Sequence, residues 1–147
     1  MIGVISMLLR GLVATILWLV TASALAQATA QTGGIEVELN KLESLDNACR
    51  AYLVTQNLTE KRFDNVQLDV VMFDKDGIVA KRLAVQIGPM APNKTSLKAF
   101  DINNLACGDI GQLLLNDVLE CRDTSGMRND CLSLLSVSQR GSVPFIK

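Results

Sequence analysis

Side chains that do chemistry are few in this chain and oddly chosen. There are four cysteines, Cys49, Cys107, Cys121 and Cys131, and no histidine among 147 residues. Without an imidazole, Ser-His-Asp and Cys-His nucleophile systems cannot be built. A mixed Cys/His zinc site is excluded for the same reason, and no CxxC pair occurs. An even number of cysteines in an exported chain instead reads as a disulfide framework, with three connectivities open until the strands are placed.

Other candidates dissolve on their spacing. Asp123-Thr124-Ser125-Gly126 is close to the Asp-Thr-Gly of aspartic proteases, but Cys121-Arg122 stands where an apolar strand must lead in, so the stretch reads as a polar turn between two cysteines. Asp69, Asp74 and Asp76 lack the further oxygen ligands and terminal Glu of a calcium loop, and Asp74 and Asp76 read as turn residues. Met72, Met90 and Met127 are too scattered for a copper(I) site. Asn57-Leu58-Thr59 and Asn93-Lys94-Thr95 match the glycosylation triplet, and both read as loop-edge residues. No Ser-Lys pair is singled out and no Gly-rich phosphate loop occurs, so neither catalysis nor a cofactor is expected.

The chain opens with an export signal. Met1–Ala26 holds one charge, Arg10, and is nearly all apolar from Gly11 to Val20. Ala24-Leu25-Ala26 fits the A-x-A rule, predicting cleavage before Gln27, with a second site before Gln31 after Ala28-Thr29-Ala30. The apolar stretch is shorter than the roughly 20 residues a bilayer span needs, so membrane contact is expected only in transit. No twin-Arg pair is present and no Cys lies near the cleavage site, which points to Sec export and away from a lipoprotein. Cleavage leaves 121 residues (147 less 26) with 13 Lys and Arg (14 less Arg10) against 15 Asp and Glu, a net charge of −2. Lacking a basic stripe, the chain is a poor nucleic-acid binder.

The elements that must position these residues are strands. Val66, Leu68, Val70 and Met72 share one face; Asp74-Lys75-Asp76-Gly77 then gives a hairpin turn, because Gly accepts the positive φ it needs. Val79, Leu83, Val85 and Ile87 give the return strand its parity. Around this hairpin come a strand at Ile35–Leu39, a connection at Lys41–Asn47, and a strand from Cys49 to about Gln56. Pro89 and Pro92 break the chain before a strand at Lys94–Ile102, with Leu97, Phe100 and Ile102 as core contacts. A short helical turn fits within Leu105–Gly111, followed by strands at Gln112–Cys121 and Leu132–Gln139. The organisation expected is residues 1–26 as signal peptide, 27–34 as a flexible N-terminus, and 35–147 as one β-sandwich of about seven strands.

Strand placement then selects the disulfides. Cys121 and Cys131 face each other across a hairpin mouth, and Cys49 meets Cys107 if the second and fifth strands are antiparallel neighbours. In the tail, Phe145 and Ile146 either fold back onto the sandwich or stay exposed as a partner contact.

Val70-Val71-Met72-Phe73-Asp74, with Asp76-Gly77 after it, resembles the signature of the FxLYD-type immunoglobulin-like domain. Val70 stands for its Phe, Met72 for its Leu and Phe73 for its Tyr, while Asp74 is identical. Ile35–Lys147 as a whole is similar to small exported alphaproteobacterial proteins that carry no assigned activity and are often labelled Tat-signal proteins, although the twin-Arg is missing here. The resemblance implies an all-β, immunoglobulin-like antiparallel sandwich in a bacterial periplasm, and transfers no catalytic residue. The expected role is a non-catalytic module that binds or supports another envelope protein, its edge strands and tail offering the contacts; the alternative is a periplasmic small-molecule or metal carrier.

Overall fold

The computed structural model describes residues 33–147; the export segment, its cleavage sites and Gln27–Thr32 lie outside the described residues. The described chain is almost wholly strand: β1 (Ile35–Leu45), β2 (Ala48–Asn57), β3 (Phe63–Asp74), β4 (Val79–Gln86), β5 (Lys94–Asn103), β6 (Ile110–Asp123), β7 (Gly126–Met127), β8 (Leu135–Gln139) and β9 (Phe145–Ile146). A 3-10 turn at Cys107–Asp109 and one helical turn, α1 (Cys131–Leu134), interrupt it. One sheet has the order β5-β2-β1-β8, and the other β4-β3-β6 with β7 and β9 both on β6. The two sheets pack as a sandwich, and β7 and β9, two residues each, bring the expected seven strands to nine.

The central hairpin forms as its sequence dictates. Val66, Leu68, Val70 and Met72 are all buried. At the turn, Asp74 Oδ1 accepts the N–H groups of Asp76 and Ile78, each at 2.9 Å. Gly77 takes φ +79°, where a side chain would be strained. On β4 the parity holds for Val85 but not for Val79, which is exposed. The cause is a register shift between Met72 and Phe73, which displaces the last pair of the ladder.

Three other expectations are corrected. β1 does not end at Leu39: it continues through Lys41–Leu45, paired to β2, after a bulge between Leu39 and Lys41 that breaks the alternation and hides the continuation. Cys131–Leu134 is helical, with the Ser133 N–H and hydroxyl both donating to the Asp130 carbonyl, so the last long strand starts only at Leu135. β8 does not form a hairpin with β6; it pairs parallel with β1 in the opposite sheet, as β9 does with β6, and both sheets are therefore mixed rather than antiparallel.

The interior is aliphatic, drawn from both sheets, with Phe63, Leu68, Met72, Ile102, Leu113 and Leu135 among its fully buried side chains. Gly33 leads into it: a Cβ there would lie 2.5 Å from the Leu58 carbonyl oxygen, so the close approach needs glycine.

Candidate interaction surface

Both expected cysteine pairs form. Cys49 and Cys107 are joined with Cα atoms 4.8 Å apart, because β2 and β5 are antiparallel neighbours and the 3-10 turn brings Cys107 back beside Cys49. Cys121 and Cys131 are joined with Cα atoms 6.4 Å apart. This second bond is not cross-strand within a hairpin. It ties β6 of one sheet to the helical turn that delivers β8 to the other.

Two acidic groups singled out in the sequence, Asp123 and Asp69, are held by arginines. Asp123 Oδ1 accepts the Ser125 N–H at 2.7 Å, and Oδ2 accepts Arg128 Nη1 at 2.8 Å. Arg128 beside it, then the Ser125 N–H, keeps the Asp123 carboxyl below the usual carboxylate range. The Arg128 guanidinium also clasps Asp130 and lies 5.9 Å from the centre of the Phe63 ring. Asp123–Gly126 is thus a braced turn. Asp69, 1% exposed, sits on the outer face of the β4-β3-β6 sheet. Arg82 grips both its oxygens at 2.7 Å, and Asn116 Nδ2 donates to Oδ2 at 2.6 Å. These contacts, Arg82 first, lower its pKa as well. Sequence reasoning took Asp69 only as a calcium candidate. The usable signal was an acid of outward parity with an arginine, Arg82, on the same face of the return strand, two residues from its partner Ala84.

The sequon asparagines separate. Asn57 is fully buried: its Nδ2 donates to the carbonyls of Lys61 and Ala91, and its Oδ1 accepts from the Thr59 N–H and hydroxyl. Asn93 is an exposed turn residue at φ +51°. Met72 and Met90 are core residues and Met127 is exposed.

What remains for contact is the pair of flanks where the sheets end. On the β6/β8 flank the tail has folded back. Phe145 is 3% exposed in the core, and Ile146, 43% exposed, continues the outward row of Val71 and Leu114. Leu113 N–H donates to the Pro144 carbonyl at 2.9 Å, and Lys147 Nζ caps the carbonyls of Leu132 and Leu135. Between β9 and β7, the β6 ladder to β3 shifts register, and Asp117 takes the N–H of its neighbour Val118 at 2.7 Å. Bulges and self-capping of this kind blunt an edge.

The β4/β5 flank differs. β5 matches β2 over ten consecutive pairs with no register shift, and its other edge carries no strand among the described residues. Leu97, expected in the core, is 63% exposed on the outer face beside Val54, because its parity is opposite to that of Phe100 and Ile102. Lys94, Ser96 and Lys98 occupy the other parity. Lys81 Nζ donates to the Asn103 carbonyl at 2.7 Å, securing only the far end of β5.

Surface clefts include one of about 190 Å³ between the β1 bulge and Gly141–Val143 and one of about 410 Å³ beside Leu58, Phe63 and Arg128. No helix among the described residues is long and apolar enough to cross a membrane.

No family model and no curated protein matches the chain. A solved structure described as the structural characterization of IrmA from Escherichia coli is similar in fold, with a TM-score of 0.56 over 71% of this chain and 91% of that one, at 11% sequence identity.

Proposed function

We infer that this domain is a non-catalytic, exported module of the cell envelope that binds another protein. The observation that carries the reading is the contrast of flanks: β5 is a long, regular edge with no partner strand among the described residues, while on the opposite flank the chain's own tail lies along β6 and caps the start of β8. An open edge offers a ready ladder of N–H and C=O groups to an incoming chain. Two disulfides agree with an oxidising compartment, and the export signal together with the resemblance to immunoglobulin-like periplasmic proteins supports placing it there. Catalysis has little to draw on in the described residues, since the buried carboxylates Asp69 and Asp123 are each held by an arginine.

Native mass spectrometry of protein taken from its own compartment tests this. The expected result is a complex with a second polypeptide. A bare chain carrying a small-molecule or metal mass would overturn the reading in favour of a carrier.

A further inference from the structure

We propose that β5 is an acceptor strand, and that its partner is an extended segment of another protein in which acidic and apolar residues alternate. The proposal rests on the protein-binding reading above and names the partner's chemistry. An added strand must match β5 face by face, since side chains alternate across a sheet. One face offers Lys94, Ser96 and Lys98; the other offers Thr95, Leu97 and Ala99, with Leu97 already in a row with Val54 and Glu38. None of the three side chains on the first face can neutralise a cation, and among the described residues neither lysine has an ion-pair partner, so acidic residues four apart meet the two lysines favourably. An apolar residue between them covers the exposed Leu97 side chain.

The same lysines argue against a second copy of this chain as the occupant. Two β5 strands paired about a two-fold axis with their outer faces aligned bring Lys94 and Lys98 of both copies onto one face, and like charges across a strand pair are unfavourable. Lys98 shares the parity of the core-facing Phe100 and Ile102, where an edge lysine works as a guard against unselective pairing. An acidic partner converts that guard into a contact.

The probe is a capped peptide, Thr-Glu-Val-Thr-Val-Glu-Thr, followed by amide-resolved hydrogen exchange on the mature, oxidised domain. The expected result is slowed exchange on alternate β5 amides between Lys94 and Phe100. Binding should weaken as salt rises, and a peptide with Lys in place of Glu should bind about tenfold more weakly. The double variant Lys94→Glu/Lys98→Glu, at positions on the surface edge, should reverse that preference. Protection at another edge or nowhere, equal binding of both peptides, or β5 protection that grows with protein concentration without peptide would each overturn the proposal. If a natural partner cross-links through a photoreactive residue at Ile146 or Met127 while β5 stays unprotected, the proposal falls and the protein-binding reading stands.

Discussion

On one flank of the sandwich the chain covers part of its own edges: β9 lies along β6, Lys147 caps the carbonyls of Leu132 and Leu135 at the start of β8, and Cys121–Cys131 ties β6 to the turn before β8. On the other, β5 runs straight for ten residues with nothing beyond it in the described chain. The difference shows that edge protection in this fold was supplied locally, by bulges and a folded-back tail on one side, and by little more than two lysines on the other.

Breaking the closed elements should therefore cost stability, while altering the open flank should not. The largest effect is expected from Cys49→Ala/Cys107→Ala. Its bond closes a loop of 58 residues, for which the chain-entropy relation gives about 4 kcal/mol. Urea denaturation of oxidised wild type and variant reads this directly. Phe145→Ala, which empties a buried ring position and frees the tail, should cost about 3 kcal/mol in the same assay. Cys121→Ala/Cys131→Ala removes a bond that closes a loop of only 10 residues and should cost about 2.7 kcal/mol, less than the first pair. If the two disulfide variants melt alike, loop length does not govern them.

Smaller effects follow from the Asp69 clamp. Replacing Asp69 by Asn weakens a charge-assisted pair and should cost about 1–2 kcal/mol at neutral pH. The folded carboxyl has a lowered pKa, held down first by Arg82. Its contribution is thus fully present above the unfolded value of about 3.9 and is lost as pH falls through the lower folded value. The stability difference between wild type and Asp69→Asn should accordingly be constant from pH 5 to 7 and shrink below about pH 4. Last comes Leu97→Thr on the open flank, expected to change stability by less than about 0.5 kcal/mol. A loss several times larger would mean that Leu97 is covered by something already bound.

Much of this architecture could be read from residue order. The Asp74–Gly77 turn and the parity of Val66–Met72 follow from local chemistry that the rest of the fold does not override; the Cys49–Cys107 pair was legible once β2 and β5 were set side by side, whereas Cys121–Cys131 forms without the hairpin expected for it. What was hidden is what depends on a partner far along the chain. The bulge after Leu39 shifted parity and made Lys41–Leu45 read as a connection. Nothing within Leu135–Gln139 says that it pairs with β1 rather than β6, since its alternation suits either sheet. Leu97 read as core because leucine usually is, whereas its place beside Val54 on the outer face is fixed by the register of β5 on β2. Asp69 was legible as an acid in an apolar strand, but its meaning lies in Arg82 and Asn116, which tertiary pairing brings to it.

Amide-resolved hydrogen exchange on the free, oxidised domain tests the contrast of flanks most directly. Alternate amides of β5 between Lys94 and Phe100 should exchange nearly as fast as an unstructured peptide, while the Leu113 amide, held by Pro144 of the tail, stays slow. Slow exchange along the whole of β5 together with a rapidly exchanging Leu113 would contradict the account.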